Sequence, residues 1–148
     1  MAMATSNFQF SVRVYYEDTD AGGVVYHANY LKFMERARSE FLIDRGCSVV
    51  ECEQKFGVIF VVRNMEIDFI LPARLGESLT VEIEVIKLGK VGVQMKQSIY
   101  NNQGLLICTA LVKLAAISET AKDSFVLTPM PKALLTLFSN NITADATN

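Results

Sequence analysis

The chain has 148 residues, of which 51% are hydrophobic and 20% charged, with a formal net charge of −2. That is enough apolar material for one domain with a sizeable core. No long basic block is present, which argues against nucleic acid as a partner, although a nucleotide-bearing small ligand would need only a few local cations.

Residues 1–7 have neither the positive region nor the apolar run of a signal peptide and read as a disordered tail. Residues 8–16 alternate, with Phe8, Phe10, Val12 and Val14 against Gln9, Ser11 and Arg13, which is strand periodicity. Turn residues break the pattern over 18–23. From about His27 to Arg45 the period becomes helical, with Tyr30, Phe33, Met34, Ala37 and Phe41 on one side, and Gly46 follows as a helix end prefers. A short second helix is expected over 49–55.

Four strands are expected next. The segment 57–71 is β-rich and stops at Pro72, and 77–88 alternates through Leu79, Val81, Ile83 and Val85. Gly89-Lys90 fits a two-residue hairpin turn with Gly first, leading into 91–100. After a turn at 101–104, residues 105–117 are nearly all apolar, as in a strand covered on both faces. Thr109 and Lys113 interrupt that run, which is too short to cross a bilayer as a helix, so the expected location is cytoplasmic. Pro131 opens a helix over 132–138, and the polar residues 139–148 read as a second disordered tail. The expected class is α+β, with 8–138 as the domain and one helix packed across one curved antiparallel sheet. The apolar run Val58-Ile59-Phe60-Val61-Val62 is too greasy for a free sheet edge and predicts self-association.

Chemistry concentrates in residues 15–30. Glu17, Asp18 and Asp20 precede Gly22, Gly23 and the helix, and a helix start presents free N–H groups and partial positive charge. A carboxylate there can activate or be a nucleophile at a carbonyl, while the N–H groups receive the oxyanion. Taken alone, Asp18 to Gly23 is also a plain turn, and a calcium loop is weaker still because the spaced EF-hand ligands are missing. His27 is the sole histidine, which excludes a two-histidine metal site; it either caps and packs or serves through its backbone N–H. Cys47, Cys52 and Cys108 form no Cys-x-x-Cys pair and read as reduced, packed thiols. No Gly-x-Ser-x-Gly elbow, dinucleotide fingerprint or Walker loop occurs. Among Arg63, Arg74, Lys87, Lys90 and Lys96, Lys90 at a hairpin tip is best set to reach a phosphate, with Arg63 and Lys87 behind it.

The run Val14-Tyr15-Tyr16-Glu17-Asp18-Thr19-Asp20-Ala21-Gly22-Gly23-Val24-Val25-Tyr26-His27-Ala28-Asn29-Tyr30, followed by Glu35-Arg36-Ala37-Arg38, resembles the hotdog-fold acyl-CoA thioesterases of the YbgC type. These are similar to the 4-hydroxybenzoyl-CoA thioesterases, and the resemblance covers about residues 8–138. It implies a long helix wrapped by a five-stranded antiparallel sheet, dimers with a continuous sheet, and usually tetramers. It implies hydrolysis of acyl-CoA with no metal or cofactor, Asp20 as the catalytic carboxylate, and an oxyanion contact at the His27 backbone beside Tyr26 and Gly23. Genes of this family often lie near those of the Tol–Pal envelope system, which suggests membrane-peripheral or lipid-synthesis partners. A hydratase on the same fold would want a His-Phe-Pro motif, which is missing. A non-catalytic acyl-thioester binder or scaffold at the membrane face is the alternative from another class.

Overall fold

The structure, a computed structural model, describes residues 7–139 apart from 122 and 125. Strand β1 (Phe8–Arg13) leads into helices α1 (Asn29–Asp44) and α2 (Val49–Phe56). Strands β2 (Val58–Phe69), β3 (Ser78–Leu88), β4 (Gly92–Asn101) and β5 (Leu106–Ser118) follow, and α3 (Lys132–Ser139) closes the described chain. The strands form one antiparallel sheet in the order β1-β3-β4-β5-β2, so β1 and β2 are its edges. With α1 packed on β3 and β1, this is the α+β hotdog architecture expected. No helix among the described residues is long and apolar enough to cross a membrane.

The helical period predicts the core correctly. Phe33, Met34, Ala37 and Phe41 are all fully buried, and each large side chain so buried contributes about 1.5–3 kcal/mol. The Phe41 ring meets Phe8 at 5.6 Å and Phe138 at 5.9 Å, joining α1 to β1 and to α3. One polar side chain crosses this interior. Gln97 of β4 donates to the Met34 carbonyl (3.0 Å) and accepts from Arg38 Nη1 (2.8 Å), so its buried amide is satisfied on both ends. Burial pulls the Arg38 guanidinium below its usual range.

Several boundaries move. Strand β1 stops at Arg13 rather than running to residue 16, because the Tyr15 N–H turns to the Asp18 carboxylate (2.8 Å). Helix α1 starts at Asn29, two residues after His27, once a turn closes from the Tyr26 carbonyl to the Asn29 N–H. The hairpin turn is one residue later than Gly89-Lys90: Gly89 and Gly92 pair (2.9 Å), leaving Lys90 and Val91 at the tip. Strand β5 is buried on both faces only towards its end, over 114–117, while Lys113 is exposed. Ser139 belongs to α3; the rest of the segments expected to be disordered, 1–6 and 140–148, lies outside the described residues.

Two register shifts matter for function. Val62 pairs with Leu114 but Asn64 with Lys113, leaving Arg63 as an extra residue in β2. Val85 pairs with Met95 but Lys87 with Gln94, leaving Ile86 extra in β3. Each bulge turns the following side chains onto the other face. Without the second, Lys87 would continue the inward series Leu79, Val81, Ile83 and Val85; with it, Lys87 lies outward beside Gln94. Nearby, a Cβ on Gly92 would stand 2.7 Å from the Leu114 carbonyl oxygen. Gly92→Ala should therefore destabilise the fold by about 1–3 kcal/mol. The check is a chemical-denaturation midpoint, which should fall further than that of Gly89→Ala, whose Cβ would meet only an ordinary 3.7 Å contact.

Candidate active site

The loop between β1 and α1 is a narrow hairpin. Thr19 bridges Val25, the Asp20 N–H donates to the Val24 carbonyl (2.9 Å), and the Gly23 N–H returns to the Asp20 carbonyl (3.0 Å). Gly23 has φ +79°, which a side-chain-bearing residue adopts at a cost. The far arm is strapped down: the Val25 N–H donates to the Ala73 carbonyl (2.8 Å), and the Ala73 N–H donates to the Tyr30 hydroxyl (3.2 Å). Burial pushes the Tyr30 hydroxyl pKa up, so it stays neutral.

The three clustered acids separate sharply. Glu17 is exposed. Asp18 is 3% exposed, and its oxygens accept from the Tyr15 N–H and from the Asn29 side-chain amide, both at 2.8 Å. Asp20 is exposed; its Oδ1 accepts from the Gly22 N–H at 2.8 Å, and among the described residues Oδ2 has no hydrogen-bond partner. Asp18 is thus consumed by structure, and Asp20 keeps an oxygen free for chemistry.

The helix start is open as well. Ala28 at the cap has no capping side chain, and the first turn of α1 contains no acid. The Gly23 N–H is spent on Asp20 and the Tyr26 N–H on the Asp18 carbonyl (2.9 Å), whereas no acceptor among the described residues meets the His27 N–H. Gly23 and Tyr26 therefore shape this corner, and His27 has the available donor. The exposed His27 ring lies 4.6 Å from the Tyr26 ring and 6.1 Å from the Phe69 ring.

Arg63, Lys87 and Lys90 converge on one groove of about 590 Å³. Asn64, Gln94 and Lys113 line it too, no carboxylate does, and none of the four cations has an ion pair among the described residues. Sequence reasoning passed over Lys113 as an interruption of an apolar run; a lone lysine in such a strand marks the solvent face. The two bulges aim Arg63 and Lys87 at this groove, and Gly92 lets the backbone form part of its wall.

Groove and Asp20 turn sit at opposite ends of β3. The turn is bonded to residues 73–75, just before β3, and the groove begins at Lys87. Strand rise makes that separation about 30 Å along one chain. A smaller hollow of about 120 Å³ lies between α1, β2 and α3, lined by Leu42, Phe60, Val62, Met95 and Phe138 with Arg38 among them.

The three thiols are buried. Burial pushes Cys52 and Cys108 up to about 12, and the Cys47 and Cys52 sulfurs lie 3.4 Å apart in the interior. Among the described residues no three metal-ligating side chains gather.

Comparison with known proteins shows likeness along most of the chain. The chain is 42% identical over 115 residues to the acyl-CoA thioesterase YbgC of Haemophilus influenzae, covering 78% of this chain and 84% of that one. It is 38% identical over 138 residues to the acyl-CoA thioester hydrolase YbgC of Escherichia coli, covering 92% and 98%. The crystal structure of a probable thioesterase from Bartonella henselae matches with a TM-score of 0.78 at 37% identity, over 85% of this chain and 100% of that one. The family model described as thioesterase superfamily matches residues 22–108, a span that starts two residues after Asp20. By its fold, its helix-start loop and this likeness along most of its length, the chain belongs to the thioesterase superfamily, among the hotdog-fold relatives of YbgC.

Proposed function

We propose that this protein hydrolyses acyl-CoA to a free carboxylic acid and coenzyme A. The observation that carries the proposal is the pairing of an unpartnered Asp20 oxygen with an unpartnered His27 N–H on one strapped loop at an uncapped helix start. With the thioester carbonyl at that N–H, two routes share the geometry. Asp20 attacks the carbonyl, expelling the coenzyme A thiolate, and water then hydrolyses the mixed anhydride. Alternatively Asp20 takes a proton from water, hydroxide adds to the carbonyl, and the collapsing oxyanion expels the thiolate, which receives the proton. Either sum is thioester plus water to acid plus thiol.

The cationic groove would hold the coenzyme's phosphates, through Lys90, Arg63, Lys87 and Lys113. A single coenzyme molecule would have to lie stretched along the sheet to join groove and Asp20 in one chain. Two copies paired antiparallel through β2 remove the difficulty. Gly92 pairs with Ala115 and Val58 with Ser118, so the hairpin lies at the Val58 end of β2, while the Asp20 loop lies at the Phe69 end. A two-fold axis across β2 brings one copy's Asp20 loop towards the other copy's groove. The half-exposed Val62 and Phe69 on this long edge strand support such pairing. The acyl group would run into the apolar hollow between α1 and β2.

The test is thiol release from a panel of acyl-CoAs, with a thiol reagent as the readout because the protein's own cysteines are buried. Turnover is expected; saturable binding without turnover would instead favour a non-catalytic acyl-thioester binder. Lys90→Ala and Lys113→Ala should each raise KM for acyl-CoA by roughly two- to fivefold, the worth of an exposed ion pair, with kcat unchanged. Equal effects on an S-acyl pantetheine lacking the nucleotide would rule out a phosphate contact.

A further inference from the structure

We propose that Asn29 is a positioning residue for the reaction, latching through Asp18 the turn that carries Asp20 to the helix start that carries the His27 N–H. The inference rests on the active-site reading above. Asp18 is a hub for three segments. Its Oδ2 accepts from the Tyr15 N–H at the end of the β1 arm, its carbonyl accepts from the Tyr26 N–H before the helix (2.9 Å), and its Oδ1 accepts from Asn29 Nδ2 in the first turn of α1 (2.8 Å). Asn29 supplies the only one of these contacts that comes from the helix, and it is itself 7% exposed.

The spacing makes the latch mechanically relevant. Asp20 lies two residues beyond Asp18, and His27 lies two residues before Asn29, so a shift at the latch moves the two reacting groups relative to each other. Both partners are buried, so removing Asn29 leaves Asp18 Oδ1, and removing Asp18 leaves Asn29 Nδ2, without this hydrogen bond. No cation compensates: neither ion pair recorded among the described residues involves Asp18. The pair is also reversible in principle. With Asp18→Asn and Asn29→Asp together, the new amide at 18 accepts from the Tyr15 N–H through oxygen and donates through nitrogen to the new carboxylate at 29.

The experiment measures kcat and KM for acyl-CoA, with thermal midpoints, on Asn29→Asp, Asn29→Ala, the reversed double variant and Asp20→Asn. Asn29→Asp sets two carboxylates face to face and should lower kcat by roughly 10²-fold, the scale of a small misplacement of reacting groups, with KM nearly unchanged. Asn29→Ala, the gentler change, keeps the measurement valid if Asn29→Asp folds poorly, and should also lower kcat selectively. The reversed pair should recover most of the loss, which bulk stability alone would not produce. Folded Asn29→Ala with normal kcat, or a reversed pair no better than Asn29→Asp alone, would overturn the latch. Full turnover by Asp20→Asn would overturn the site reading beneath it, whereas a dead Asp20→Asn beside normal Asn29 variants removes the latch alone.

Discussion

Asp20→Asn should fold normally and lose about 10²–10⁴-fold in kcat, the contribution of a placed general base or more. The substitution keeps the shape and keeps an oxygen to accept from the Gly22 N–H, so the turn survives and only the proton-accepting or attacking oxygen is lost. His27→Ala should cost much less, because the donor at issue is its main-chain N–H and alanine keeps it. The ring's contacts with Tyr26 and Phe69 would contribute substrate packing and so appear in KM. The measurement is steady-state thiol release on variants with wild-type thermal midpoints. Near-normal turnover by Asp20→Asn would remove this residue from the chemistry. A His27→Ala enzyme as inactive as Asp20→Asn would move the oxyanion contact from backbone to imidazole.

Two inactive proteins should regain activity when mixed. One is Asp20→Asn; the other has Arg63, Lys87, Lys90 and Lys113 all changed to Ala and is assayed well below its raised KM. If each site joins one copy's Asp20 to the other copy's groove, a mixed dimer contains one site with both lesions and one with neither. Statistical exchange then restores about a quarter of the wild-type rate. If Asp20 and the groove of a single chain worked together, every site in the mixture would retain one lesion and no rate would return. Light scattering on the same samples should show dimers or larger closed assemblies, and an active monomer would exclude the shared site.

The sequence displays the core more plainly than the site. The α1 face from Tyr30 to Phe41 is legible because helical periodicity and burial coincide there. The strand count and the β3–β4 and β4–β5 turns follow from alternation and turn residues, whereas the pairing of β2 with β5 does not. The hairpin register and the face of Lys87 do not, because a period-two pattern has no sign for the extra residue at Ile86. Nor does the pattern separate Asp18 from Asp20: the difference depends on Asn29, eleven residues later, reaching back to one carboxylate and leaving the other in solvent. Lys113 was visible as a letter but not as a partner of Lys90, since only the β4–β5 pairing brings them to one groove.

The bulges mark where β2 and β3 can each lose one residue without turning over. Replacing Arg63 by another residue removes one charge from the groove and leaves β2 in register. Deleting its codon would heal the bulge: Val62 and Asn64 already face the consecutive partners Leu114 and Lys113, so Met65 and Ile67 would stay on the core side and β2 would lose only its local bend. Losing Ile86 would likewise leave Val85 and Leu88 inward and Lys87 outward. Along lineages, these two positions should vary freely in residue type and even be lost singly, whereas an insertion or deletion far from either bulge would turn the rest of its strand onto the wrong face.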